Sequence, residues 1–180
     1  MKVLIAGAGI GGLTTALMLH ARGIPVQIYE TAAEVREAGV GINILPHAIR
    51  ELETLGLLPA LDVVGLRTRR LTYYTRSGQE VWSELRGTYA GHEVPQFSIH
   101  RGRLQHLLYK AVLDRLGPKA VQTGRRLGGF VQDDKGITAH FANSIDGSKG
   151  ITVRGDVLIC CDGIHSAGRK VFYPNEKSPS

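Results

Sequence analysis

Six consecutive residues near the amino terminus, Gly7-Ala8-Gly9-Ile10-Gly11-Gly12, carry glycine at the first, third and sixth positions. That spacing suits a pyrophosphate. Gly7 permits a tight turn, Gly9 puts no side chain in the way of phosphate oxygens, and Gly12 lets a following helix lie close to the preceding strand. Ile10 and Gly11 complete the loop ahead of that helix, whose first turn points unpaired N–H groups and the positive end of its dipole at an anion. Glu30 follows Gly12 by 18 positions, near the ~20-residue interval at which a carboxylate meets a ribose hydroxyl, and a carboxylate there repels a phosphorylated ribose. Much later, Asp162-Gly163-Ile164-His165-Ser166 with Arg169 forms a second cluster. An acid and a glycine at the carboxyl end of a parallel strand sit where doubly wound folds bind ligands. The alternative for Asp162 is a helix cap.

Other residues leave their roles open. Arg101 and Arg103 fall in the first turn of an expected helix, where the dipole favours acids, so an anion such as a phosphate is expected to compensate. A solvated charge is the alternative. Gln105 lies one turn after Arg101 on the same face and joins it in this reading. Asn43, an amide among aliphatic residues, either orients a ligand or satisfies local backbone. Trp82, Tyr89 and Phe97 either line a pocket or serve as half-buried strand residues. Cys160 and Cys161 are adjacent, so in a strand they point to opposite faces; they read as buried, small apolar residues without a disulfide or a metal.

These residues need a scaffold. Val3–Ala6 and Val26–Tyr29 read as apolar strands flanking a helix from Leu13 to Arg22. Thr31 to Gly39 is polar and loop-like, Val40–Leu45 is apolar, and Pro46 to Leu55 is an amphipathic helix stopped by Gly56-Leu57. From Leu71 to Ile99 the period changes to two, with Ser77-Gly78 as the turn of an antiparallel hairpin outside the parallel sheet. Ile99 to Arg103 opens a helix that continues through Leu104, Leu108 and Val112 to Gly117-Pro118. Ala120–Thr123 reads as a third parallel strand, and the stretch from Gly128 to Val153 as a three-stranded meander crossing the sheet. Val157–Cys161 reads as a strand buried on both faces.

Bulk properties narrow the class. A chain of 180 residues with 43% hydrophobic and 21% charged residues is an ordinary soluble globular protein, expected in the cytoplasm. No apolar run approaches the ~18 residues that cross a bilayer. Lys2 followed by apolar residues has the look of a secretory signal, but no small-residue cleavage pattern closes the run. The net charge of +6 is dispersed and aromatics are only 6%, which argues against nucleic acid and for attraction of anionic cofactors.

Together these motifs resemble the single-component flavoprotein monooxygenases of the para-hydroxybenzoate hydroxylase type. The first FAD motif is similar to Gly7–Gly12 with Glu30, and the second to Cys161–Ser166. Gly41–Pro46 and Ser98–Gly102 look closest to the phenazine-1-carboxylate monooxygenase branch. The resemblance implies an α/β fold: a Rossmann-like FAD-binding parallel sheet, a β-meander crossover and part of a second, antiparallel substrate sheet. It implies FAD binding by residues 1–66 and 100–180, with residues 67–99 contributing substrate-domain strands. Glu30 would hold the adenosine ribose, the glycine loop the pyrophosphate, Arg101 the FAD, and Asp162 would lie near the phosphates and the NAD(P)H path. Family members oxidise NAD(P)H, activate oxygen and hydroxylate an electron-rich ring. They are also longer: a third FAD motif and most of the substrate sheet have no counterpart here, and Gly168 replaces a bulkier residue. A non-catalytic nucleotide-binding fragment and an NAD-dependent dehydrogenase are the alternatives.

Overall fold

The computed structural model describes residues 1–35 and 39–177. Part of the loop expected between Thr31 and Gly39, residues 36–38, lies outside the described residues. Contacts divide the chain into two compact units, one of residues 1–36 and 108–180 and the other of residues 37–107.

The first unit begins with β1 (Val3–Ala6), α1 (Ile10–His20) and β2 (Val26–Tyr29). β1 is buried at every position, as its unbroken apolar sequence requires, and Leu13, Ala16 and Leu17 form the buried stripe of α1. The helix starts at Ile10, three residues before Leu13. The glycines preceding Leu13 therefore belong to the helix and its entry, not to a loop.

In the second unit, β3 (Gly41–Ile44) leads into α2 (Pro46–Thr54), α3 (Leu58–Val64) and β4 (Gly65–Arg67). The stop at Gly56 forms as the sequence indicates: Leu57 N–H returns to the Leu52 carbonyl and the Leu57 side chain is buried. The hairpin of β5 (Arg70–Tyr74) and β6 (Glu80–Leu85) is closed by cross-strand pairs, with the Thr72 and Ser83 hydroxyls 2.9 Å apart and the Tyr73 and Trp82 rings 5.7 Å apart. A single 3-10 turn, Gly87–Ala90, precedes β7 (Phe97–His100), which is central in an antiparallel sheet of order β3-β7-β4. Ile99 and His100 are therefore strand, not the opening of a helix. Phe97 and Ile99 point into the core while Ser98 and His100 stay half exposed, the period-two signature of a strand. α4 (Arg101–Leu116) begins only at Arg101 and runs across the boundary between the units.

The chain then returns to the first unit with β8 (Val121–Gln122), β9 (Arg125–Asp133), β10 (Gly136–Asn143), β11 (Ile151–Gly155), β12 (Val157–Cys160) and α5 (Ala167–Phe172). The parallel sheet has the order β12-β1-β2-β8, and β9 to β11 form the expected antiparallel meander. One face of the parallel sheet packs on the meander: Leu4, Ala6 and Tyr29 meet Leu127, Ile137, Ala139 and Phe141, with the Tyr29 and Phe141 rings stacked 4.1 Å apart.

β12 departs from expectation. It pairs with β1 alone among the described residues, and its residues are exposed or half-buried, since an apolar run reads alike at the edge and the centre of a sheet. Cys160 is accordingly exposed and Cys161 half-buried, so the expectation of two buried cysteines fails; both thiols are free.

Candidate nucleotide site

Strand register assembles the site. Ala6 pairs with Tyr29 on one side and Cys160 on the other, so Gly7, Glu30 and Cys161 emerge side by side at the carboxyl edge of the sheet. Two bonds fix the edge: Gly7 N–H donates to the Tyr29 carbonyl at 2.7 Å and Cys161 N–H to the Ala6 carbonyl at 2.8 Å.

The three motif glycines have different reasons to be glycine. Gly7 adopts φ +100°, and a Cβ there would lie 2.3 Å from the Cys161 carbonyl oxygen. A Cβ at Gly12 would lie 2.0 Å from the Gly7 carbonyl oxygen, so close packing of helix and turn forbids one. Gly9 is ordinary in backbone, with φ −72°, and an added Cβ would meet nothing within 4 Å. Its missing side chain leaves open space. Gly11 is exposed and faces open space too. No side chain caps α1, and its first turn contains no acid, so the amides of Ile10, Gly11 and Gly12 remain available to an anion.

Glu30 is placed against this loop. One carboxylate oxygen accepts from Ala8 N–H at 2.6 Å and the other from Ala32 N–H at 2.7 Å. Each oxygen has a lone pair left for a further donor. The amides of Ala8 and Ala32 are partners that motif reading does not name, because backbone donors carry no residue signature.

Of its two expected roles, Asp162 takes the helix-capping one, shared with Ser166, which is the N-cap residue itself and accepts from Arg169 N–H. Its Oδ2 accepts from Ala167 N–H at 2.7 Å and Gly168 N–H at 3.2 Å, capping α5, while Oδ1 is buried and without a hydrogen-bond partner. Gly163 beside it takes φ +80° and faces open space. Gly168 is explained by its neighbour: a Cβ there would meet the Cys160 sulfur at 2.3 Å. Packing of that sulfur pushes the Cys160 thiol up to about 11, with the Asp162 carboxylate adding to the effect, even though the residue is exposed. Burial likewise raises the Cys161 thiol and the Tyr29 hydroxyl.

Arg101 and Gln105 belong to the second unit. Arg101 is exposed and lies over the backbone of Gly39, where an added Cβ would stand 3.1 Å from its Nε. No acid occupies the first turn of α4, and among the described residues neither Arg101 nor Arg103 forms an ion pair. Asn43 Oδ1 accepts from the Ser98 hydroxyl at 2.6 Å, and that hydroxyl lies 2.9 Å from Thr68 Oγ1. The amide thus joins a polar row from β3 through β7 to Thr68, just after β4. Phe97 is fully buried, whereas Trp82 and Tyr89 are exposed.

The first unit therefore offers uncapped helix amides facing open space, a carboxylate beside them and a second carboxylate with one unsatisfied oxygen, which is a fitting cradle for a dinucleotide. Comparison with known proteins agrees. The chain is 46% identical over 174 residues to phenazine 1,6-dicarboxylic acid hydroxylase PhzS of Lysobacter antibioticus, covering 96% of this chain and 43% of that protein. It is 31% identical over 183 residues to FAD-dependent urate hydroxylase of Klebsiella pneumoniae, covering 94% and 42% respectively. The crystal structure of Klebsiella pneumoniae HpxO complexed with FAD and uric acid superimposes with a TM-score of 0.77 at 30% identity, over 95% of this chain and 41% of that one. The chain thus spans less than half the length of these relatives. With residues 1–173 matching the family described as FAD binding domain, the chain belongs to that family, as found in the flavoprotein aromatic hydroxylases.

Proposed function

We propose that this chain is the FAD-binding part of an NAD(P)H-dependent monooxygenase that hydroxylates an aromatic, phenazine-like substrate with molecular oxygen. The observation that carries the reading is the open space at Gly9, where an added Cβ would meet no described atom within 4 Å and which a pyrophosphate would use. Residues 1–66 and 100–180 would serve the cofactor, and residues 67–99 would face the substrate.

In this reading the amides of Ile10, Gly11 and Gly12 take the pyrophosphate, and Glu30, already held by Ala8 N–H, accepts from the adenosine ribose. Asp162 Oδ1 is an acceptor, so its partner must be a donor: a hydroxyl or a bridging water, because a bare phosphate would be repelled. Arg101 and Gln105 are the residues of the second unit proposed to contact the cofactor. FAD, when bound, supplies hydride acceptance and oxygen activation; the protein binds, orients and shields it.

The test is spectroscopic. The purified chain should carry or take up FAD in equimolar amount, shown by its visible absorption. NADPH consumption should then rise on adding a phenazine or hydroxybenzoate. A colourless protein that binds NAD instead would overturn the reading, and a yellow protein without turnover would leave only the cofactor-binding part of it.

A further inference from the structure

Among the described residues, β5 and β6 pair with each other and with no third strand, and exposed side chains stand on both faces of the hairpin. Two strands alone are marginally stable in water, and an open strand edge is a template for a further strand. The two edges differ. Along β6 the ladder passes from Trp82 opposite Tyr73 to Glu80 opposite Tyr74, so Val81 is left over and that strand is bulged. β5 carries no such insertion over Arg70–Tyr74 and presents the regular edge.

One bond fixes which backbone groups that edge offers. Arg86 N–H donates to the Arg69 carbonyl at 2.9 Å, and with Leu71 opposite Glu84 and Tyr73 opposite Trp82 this turns the N–H and C=O groups of Arg69, Leu71 and Tyr73 towards β6. Those of Arg70, Thr72 and Tyr74 therefore point away from the hairpin. A second β5, laid antiparallel with a two-fold axis at Thr72, meets all three: Thr72 faces its own copy, Arg70 faces Tyr74 at either end, and each of these pairs exchanges both of its backbone bonds.

The side chains match in the same register. Thr72 beside Thr72 extends a hydroxyl row that already reaches Ser83 at 2.9 Å. Leu71 falls opposite Tyr73, on the face where the Tyr73 and Trp82 rings lie 5.7 Å apart. On the other face Arg70 falls opposite Tyr74, which itself lies opposite Glu80, so a cation, a ring and an acid share one row. Among the described residues neither Arg70 nor Glu80 forms an ion pair within its own chain. No like charges stand opposite each other along this strand.

We propose that β5 joins two copies of this chain edge to edge, in the order β6-β5-β5-β6, as a closed two-fold dimer. Both copies use the same edge, and the bulged β6 strands end the sheet instead of extending it into a fibre. A seam one five-residue strand long falls short of the ~1,000 Å² of a stable interface, so the dimer is weak and reversible, with a Kd on the order of 10–100 µM. Nothing in this contact depends on the nucleotide site.

Sedimentation equilibrium of the full chain across about 5–500 µM should show a reversible monomer–dimer equilibrium. Tyr74 is exposed, so Tyr74→Lys should leave the urea midpoint unchanged while setting a lysine opposite Arg70 at both ends, and should weaken the dimer about tenfold or more. Adding Arg70→Glu to Tyr74→Lys restores opposite charges in that register alone, and should bring association back to within about threefold of the parent. Thr72→Pro removes an N–H that the hairpin itself does not use and should abolish the dimer. Val81→Lys, on the β6 edge, should change it by less than about twofold. The urea midpoint of each variant separates lost association from lost folding. A parent chain that stays monomeric to about 500 µM, higher oligomers in place of a dimer, or association untouched by Tyr74→Lys and Thr72→Pro would overturn the proposal. So would dimerisation lost in a folded Val81→Lys, which would assign the contact to β6, or a folded double variant that does not recover.

Discussion

Alanine at Gly12 would bring a methyl group to 2.0 Å from the Gly7 carbonyl oxygen, while alanine at Gly9 would touch nothing within 4 Å. The two substitutions should therefore separate folding from binding. Gly12→Ala should lower stability by roughly 1–3 kcal/mol in urea unfolding. Gly9→Ala should change it by less than about 1 kcal/mol yet impair FAD uptake, because its methyl enters the space reserved for phosphate. Glu30→Gln keeps one acceptor oxygen and loses the other, so it should cost about 1–2 kcal/mol of stability and also weaken FAD. At this scale the sequence was highly legible for backbone-driven chemistry, since glycine spacing reports backbone geometry directly. It was mute on the amides of Ala8 and Ala32 that hold Glu30, because backbone donors carry no residue signature.

The contact of α5 with β12 gives the element scale its clearest test. Gly168 reads in isolation as a weak helix residue, but the Cys160 sulfur occupies the volume a side chain would need. Gly168→Ala should destabilise by roughly 1–3 kcal/mol, and Cys160→Gly should recover much of that loss in a double-mutant cycle. Titration offers a second check. The Cys160, Cys161 and Tyr29 groups are all pushed upward by burial, so above the ordinary thiol range the unfolded chain has released protons that the folded chain retains. Stability should then fall as pH rises from about 9 towards 11, read as a declining urea midpoint. Elements marked by an apolar run, a helical period or a turn signal were evident beforehand: β1, α1, β2, the hairpin and the meander all formed. Two unmarked ones were not. α3 spans Leu58–Val64 and β4 only Gly65–Arg67, too few residues to show a period, although Pro59 in the first turn was an available helix signal. Ile99 and His100 were drawn into the following helix because His100, which precedes it, is not one of the residue types that mark a helix start.

For the whole molecule, the parallel sheet sets the site and the charge balance favours its ligand. A net charge of +6 concentrates anionic nucleotides near the surface, so FAD association should slow as salt rises. No described helix is long and apolar enough to cross a membrane. Apolar rings and chains do reach the surface on the hairpin, where Tyr73, Tyr74, Val81 and Trp82 are all exposed. The chain on its own should therefore bind a hydrophobic dye through that hairpin, and Tyr74→Ser with Val81→Ser should reduce the signal. The parallel sense of the sheet and the placement of Glu30 and Asp162 at strand ends could be read from alternating strand and helix patterns. The edge position of β12 could not, because pairing partners are decided by the fold. The most direct test is an equilibrium titration of the chain with FAD alongside Gly9→Ala and an unfolding curve for each. Equimolar FAD binding by the parent chain, and binding weakened by about tenfold or more in a variant of unchanged stability, is the predicted result. Equal FAD affinity in the two proteins, or none in a folded parent, would contradict the assignment of the Gly9 space to the pyrophosphate.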